Sequence, residues 1–460
     1  MTTAAKSTSA APPRMPPCDH RPQPYAGPGR AEVLALRREF LTPSLITYYR
    51  EPIMIVEGHM QWLFDETGRR YLDAFAGIVT VSVGHCHPRV VEAVRRQNER
   101  LQHTTTIYLH PNAALFAKKL ASTFPRQSGL SVCAFTNSGG EANDLAVMMA
   151  RAFTGSFDVI ALRHAYHGMS SATMGLSGLS TWKQPFPHGL GVQHARLPDR
   201  YRGPWGYDEA DAGRRYADDV ADLIRTGTSG KIAAFIAEPI LGVGGAIEMP
   251  PGYLIEVYSS VRAAGGLCIA DEVQTGFGRT GDAFWGFQNH GVTPDIVTLA
   301  KGIGNGAPLG CVVTRPEIAK AFTQRLHFNT YGANPVSMAQ GLATLEVILE
   351  NGIQARAKEI GTRLIGGLRE LQKRHPKLGD VRGRGLMVGV ELVEDPRTKA
   401  PAPALAADVL ERCREMGVLV GKGGLFGNVL RIKPPMCIES ADIDFLLEVL
   451  DRALAGAVTA

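Results

Sequence analysis

The chain has 460 residues, 45% of them hydrophobic and 20% charged, with 49 basic against 44 acidic side chains. The net charge of +5 is slight at this length and no basic run is interleaved with aromatics, so a nucleic-acid partner is not indicated. No apolar stretch approaches the roughly 20 residues that cross a bilayer, and seven cysteines without paired spacing read as thiols in a reducing compartment, the cytoplasm first and the mitochondrial matrix second.

A chain this long exceeds one comfortable core, which argues for two domains in one protomer. Residues 1–30, rich in Ala, Pro, Ser and Thr, carry no periodic apolar pattern and are expected to form a mobile arm. Lys6 and Arg14 precede any acidic residue, as in a weak transit peptide, but the stretch lacks an arginine-rich amphipathic pattern and reads better as an unprocessed arm. Residues 31–85 then join the smaller domain, with a helix through EVLALRREF and a small antiparallel sheet over IMIVEGHMQWLFDETGRRYLDAFAG. In GHCHPRVVEAVRRQNERLQ, Pro88 fits a first helical turn and Val90, Val91, Ala93 and Val94 supply an apolar face. His85, Cys86 and His87 do not amount to a zinc site, since no second ligand cluster at metal spacing follows. No metal is expected.

The large domain is expected over 86–335. From Val132 the pattern is strand (VCAFT), glycine turn (NSGG), helix (EANDLAVMMARAF). A helix start exposes free N–H groups and the positive end of the helix dipole, so Ser138, Gly139 and Gly140 can cradle a phosphate. After the strand DVIALR, Tyr166 in HAYHG can stack on a flat ring, while His167 is expected to order the loop. Residues 197–230 read as a polar surface excursion before the strand KIAAFIAEP, which ends in Glu238. A buried carboxylate there needs hydrogen bonds and suits a supporting role beside a ligand. The helix GYLIEVYSSVRAAGG leads into two further apolar runs, Leu267 to Ala270 and Ile296 to Ala300, followed by Asp271 and Lys301. The alternation from about 132 to 315 is that of a doubly wound, mostly parallel α/β sheet. Helical patterns from Pro335 to about Arg374 begin a last part, 336–460, that closes as a smaller α+β domain with strands at RGLMVGVEL and VLRIKPPM and a helix from Ser440.

Ligands of such sheets bind outside the carboxyl ends of the strands, so Asp271 and Lys301 can face one ligand. The pair suits pyridoxal 5'-phosphate, whose aldehyde takes a lysine as a Schiff base and whose ring nitrogen needs an acid to stay protonated. No clean dinucleotide fingerprint, P-loop or serine-hydrolase elbow competes with it.

DEVQTGFGRTG, with Lys301 following Asp271 at a spacing of 30 in TLAKGIGNG, resembles the signature of the class III aminotransferases, a pyridoxal-phosphate family of fold type I. The likeness extends from about residue 31 to the end. It is closest to the alanine–glyoxylate branch, through MPPCD, GIVTVSVGHCHP, RGPWG, FWGFQ, PDIVTLAKGIGNG, GDVRGRGLM and MGVLVGKG. The resemblance implies a large cofactor domain with a smaller domain built from both ends of the chain. It implies Lys301 as the Schiff-base lysine that also moves the proton, Asp271 at the ring nitrogen, Gln274 at the ring hydroxyl, and Val273 on the ring face opposite Tyr166. Thr330 would reach the phosphate of a partner subunit's cofactor, making the active unit a homodimer or homotetramer. Relatives usually carry Ser or Thr where this chain has Gly140, which removes a hydroxyl contact and leaves the backbone donors.

In relatives acting on terminal amines, a glutamate at the position of Val243 masks the arginine matching Arg431. Here Arg431 is left for an α-carboxylate. The implied activity is amino transfer from L-alanine to a 2-oxo acid, glyoxylate or pyruvate. An ω-amino acid–pyruvate aminotransferase, a lyase or aminomutase on the same scaffold, and a non-enzymatic homologue stay open as alternatives.

Overall fold

The protein is described by a computed structural model covering residues 13–458 apart from Phe186. The expected arm lies outside the described residues as far as residue 12. From residue 13 the chain is irregular and lies against the strand Arg70–Asp73, where Arg70 donates to the Pro16 carbonyl at 2.5 Å and to Sδ of Met15 at 3.1 Å.

Seven strands form the central sheet in the order Val132–Thr136, Gly310–Thr314, Ile296–Leu299, Leu267–Asp271, Ala234–Ala237, Val159–Leu162, Val192–Ala195. Neighbours run parallel except Gly310–Thr314, which is antiparallel to both of its own. The inner strands are the continuous apolar runs of the sequence, buried on both faces because helices cover both. Ile236, Ile269, Ile296 and Val312 pack with the helix Gly139–Thr154, while Phe235, Ala237 and Cys268 pack with the helices Ala212–Gly227 and Tyr253–Ala263.

The helix Ala212–Gly227 corrects one expectation. Residues 197–230 are not a surface excursion throughout, since Tyr216, Val220 and Ile224 recur every four residues and are buried. Six charged residues on the outer side of that helix, among them Arg214, Arg215 and Asp218, hid this stripe in a composition reading.

Two four-stranded sheets flank this unit. One joins Ile55–His59, Trp62–Asp65 and Arg70–Asp73 to Val418–Leu419, so both ends of the chain build it. The other is antiparallel, in the order Leu378–Arg384, Met387–Leu392, Val429–Ile432, Gly421–Gly423. The helical stretch after Pro335 is two helices, Pro335–Glu350 and Ile353–Arg374, separated at Gly352, whose φ of +60° suits glycine.

Candidate active site

Pairing across the sheet sets the floor of the site. Ala237 is opposite Ala270 and Asp271 opposite Thr298, so Glu238, Asp271 and the chain leading to Lys301 leave the carboxyl ends of three adjacent parallel strands. The Lys301 strand stops at Leu299, and Lys301 follows with φ +51°, a conformation that costs a side-chain-bearing residue about 1–2 kcal/mol. Together they line a cleft of about 490 Å³ with Ser138, Gly139, Gly140, Tyr166, Val273 and Gln274.

Asp271 is held as an acceptor. Its Oδ2 takes hydrogen bonds from Nδ1 of His167 at 2.7 Å and Nδ2 of Asn143 at 2.8 Å, and Oδ1 takes one from the Val273 amide at 3.1 Å. Oδ1 keeps a free acceptor position for a ligand N–H. Asn143 is itself fixed, donating to the His167 carbonyl at 2.8 Å and accepting from Thr298 Oγ1 at 2.7 Å.

Burial lowers the pKa of the Lys301 amine. Asp271 and Glu238 oppose that shift and the charge of Arg431 adds to it. Among the described residues its Nζ takes no hydrogen bond, so the amine is available to a ligand. Glu238 is buried, accepting from the amides of Tyr166 at 3.1 Å and Gly242 at 2.8 Å. Burial, then the charge of Asp271, raises its pKa. The expectation that this carboxylate needs hydrogen bonds is met by these two donors.

Ser138 caps the helix Gly139–Thr154, its Oγ accepting from the Glu141 amide at 3.2 Å, and the amides of Gly139 and Gly140 open at the helix start. A Cβ on Gly139 would lie 3.2 Å from a methyl of Val273, so glycine lets this turn approach the Asp271 loop. The arrangement offers backbone donors and dipole to a phosphate at one end of the cleft, with a carboxylate and an amine further in. Tyr166 presents its ring at the wall, edge-on to Trp182 at 5.4 Å between centroids.

Two expected residues stand apart from this cleft. Thr330 is exposed and is not among its lining residues. Its neighbour Asn329 is tied to the phosphate-type turn by a bond from Asn137 Nδ2 at 3.0 Å. Arg431 is buried on the adjoining C-terminal sheet, paired in register with Gly389 and Gly421. Its guanidinium carbon lies 5.0 Å from the Phe75 ring centroid and Nη2 donates to the Tyr48 hydroxyl at 3.3 Å. Nε and Nη1 are buried and have no hydrogen-bond partner among the described residues. The carbonyl of Val243 accepts from the Gly424 amide at 3.0 Å, which stitches the Val243 loop beside this arginine.

Sequence reasoning missed Asn143 and Lys433. Asn143 lies four residues after Gly139, one helical turn along the same face, and that spacing could have pointed to it. Lys433 lies two after Arg431, just past the end of the strand Val429–Ile432, and the period-two alternation of that strand, continued one residue, could have pointed to it. Its Nζ donates to Oε1 of Gln274 at 3.0 Å.

The family model for class III aminotransferases matches residues 47–454. Alanine–glyoxylate aminotransferase 2 homolog 2, mitochondrial, of Arabidopsis thaliana is 53% identical over 454 residues, covering 99% of this chain and 94% of its own. A phospholyase from Arthrobacter, solved in complex with phosphoethanolamine, superposes with a TM-score of 0.85 at 36% identity, over 92% of this chain and 99% of its own. An amine transaminase from an uncultivated Pseudomonas species, solved in its PLP-bound form, gives 0.86 at 30% identity, over 91% and 99%.

Proposed function

Because the chain belongs to the class III aminotransferases, we propose that it binds pyridoxal 5'-phosphate through Lys301 and moves the amino group of L-alanine to glyoxylate, with pyruvate as a further acceptor. When bound, the cofactor supplies the aldehyde for a Schiff base and a ring that draws electrons from the substrate carbon. Ser138, Gly139 and Gly140 hold its phosphate. Asp271 accepts from the ring nitrogen and keeps it protonated, with Asn143 and His167 orienting the carboxylate. Tyr166 and Val273 cover the two ring faces, Gln274 meets the ring hydroxyl, and Glu238 fixes the Tyr166 and Gly242 backbone beside them. Lys301 would move the proton from the substrate carbon to the C4′ carbon of the cofactor, and burial, which lowers its pKa, favours the neutral amine that this transfer needs.

The observation that carries the substrate half is the unpaired Nε and Nη1 of buried Arg431. Buried N–H groups left open on Arg431 call for an acceptor, which a planar carboxylate supplies across the Nη1–Nη2 or the Nε–Nη2 edge of the guanidinium, and valine at 243 offers no competing acid. The active unit is proposed to be a homodimer, or a tetramer made of two, with Thr330 serving the partner's site. The exposed apolar side chains Ile46, Ile107, Leu109 and Leu326 support that assembly. The mitochondrial name of the Arabidopsis relative favours the matrix over the cytoplasm expected from composition.

Borohydride reduction and peptide mapping should place a pyridoxyl label on Lys301, and Lys301→Ala should abolish turnover. Arg431→Leu should lower kcat/KM for alanine and glyoxylate by about 100-fold, the order of a lost charged hydrogen-bond pair. Retained kcat/KM for both substrates would place carboxylate recognition elsewhere. Phosphate release from an amino alcohol phosphate, without an amino acceptor, would favour the lyase alternative.

A further inference from the structure

Lys433 follows the strand Val429–Ile432, with its amide bonded to the Ala74 carbonyl at 2.8 Å, and its side chain is wholly buried. A buried amine is costly unless its donors are used. Here Nζ donates to the Gly242 carbonyl at 3.1 Å and to Oε1 of Gln274 at 3.0 Å. Gly242 in turn donates its amide to Glu238 at 2.8 Å. A Cβ on Gly242 would lie 2.4 Å from Cδ, Nε2 and Oε1 of Gln274, so the amide lies flat against a backbone that only glycine leaves open. Lys433 is therefore the clamp of a chain running from Glu238 through Gly242 to Gln274.

A side-chain amide can offer a neighbour its oxygen or its nitrogen, and the partner decides which. An amine that donates holds the oxygen. Among the described residues nothing else hydrogen-bonds the Gln274 amide, and Gln274 lines the cleft, so Nε2 is the atom left for a ligand. Resting on Lys301 and Asp271 as a pyridoxal-phosphate site, we propose that Lys433 is a positioning residue that fixes the Gln274 amide with its nitrogen donor, not its oxygen, toward the ring oxygen of the cofactor. Burial, with the charges of Arg431, Arg279 and Lys301, lowers the pKa of Lys433 well below that of a free lysine, against the pull of Glu238. In the neutral form the amine still has two N–H donors, one for each acceptor it faces.

A donor on the ring oxygen stabilises that oxygen as an anion and loosens its hold on the proton of the neighbouring nitrogen. Losing the donor raises the pH at which the visible absorption band of the bound cofactor changes. Holoenzyme carrying Lys433→Met or Lys433→Gln should show this midpoint moved up by about 0.5–1 pH unit, the methionine more than the glutamine, the order produced by one lost hydrogen bond to a charged form. Reading two variants keeps the test alive should one fail to fold. In a Gln274→Ala background neither lysine substitution should move the midpoint further, because Lys433 acts through that amide. A midpoint unchanged in the folded lysine variants, or a shift that persists without Gln274, overturns the proposal while leaving the cofactor assignment standing. A wild-type protein with no visible band overturns both.

Discussion

Asp271 takes three hydrogen bonds on two oxygens, and two of its donors, Asn143 and His167, are buried. A carboxylate pinned in this way is held in place with an oxygen free to accept, which is what a protonated ring nitrogen needs beside it. Asn at 271 would keep an acceptor for Asn143 and His167 only by turning its NH₂ toward the Val273 amide, donor against donor. Asp271→Asn is expected to retain a visible cofactor band but lose at least about 100-fold in kcat, the scale of one electrostatic contact in a water-excluded site. Turnover near wild type would remove Asp271 from the ring nitrogen. At this scale the sequence was informative where chemistry is rare: an acid and a lysine at two strand ends stood out in DEVQTGFGRTG and TLAKGIGNG. Asn143 and Lys433 did not, because a single asparagine in a helix or lysine near a strand end is ordinary until its partners are known.

The helix Gly139–Thr154 links the Ser138 end of the cleft to the sheet. Its first turn offers amides to a ligand while Ala142, Leu145, Ala146 and Met149 bury its inner face. Ser138 does two jobs at that end, capping the helix and facing the cleft. Ser138→Ala should cost about 1 kcal/mol of apoprotein stability in urea unfolding, the usual loss of an N-cap hydroxyl. It should also weaken binding of pyridoxal phosphate more than binding of pyridoxal, which has no phosphate to contact. An equal loss for both ligands would confine Ser138 to capping. The strand–turn–helix pattern was legible because buried strands are apolar throughout and glycines mark the turn. The helix Ala212–Gly227 was not, since the charges on its exposed side outweighed a narrow apolar stripe. The strand Leu378–Arg384 was also missed, since in LGDVRGR it carries Asp380 and Arg382, which are buried as an ion pair rather than exposed.

At the scale of the whole molecule, a single chain leaves the proposed site short of Thr330. That residue lies on an exposed segment with Leu326 and Tyr331, and the Tyr331 ring sits 5.4 Å from that of His103, which shortly precedes the exposed Ile107 and Leu109 in the chain. Large apolar side chains left open on neighbouring segments are what a subunit contact covers. A patch of this kind could serve association without touching catalysis, so mass alone does not decide the role of Thr330. Hybrid subunits do. Thr330→Asp sets a negative charge where the partner's phosphate would lie and should silence the enzyme, as Lys301→Ala does by removing the amine. Mixed after unfolding and refolded together, the two inactive chains should recover activity. In the heterodimer one site combines an intact Lys301 from the Thr330→Asp chain with an intact Thr330 from the Lys301→Ala chain. Random pairing yields half of the dimers as hybrids with one good site each, so recovery should approach about a quarter of the wild-type specific activity, by the closed two-fold symmetry of such dimers. Refolded controls of each chain alone should stay silent. No recovery in a mixture shown by light scattering to contain dimers of twice the 49.5 kDa chain mass would mean that each Thr330 serves its own subunit or none.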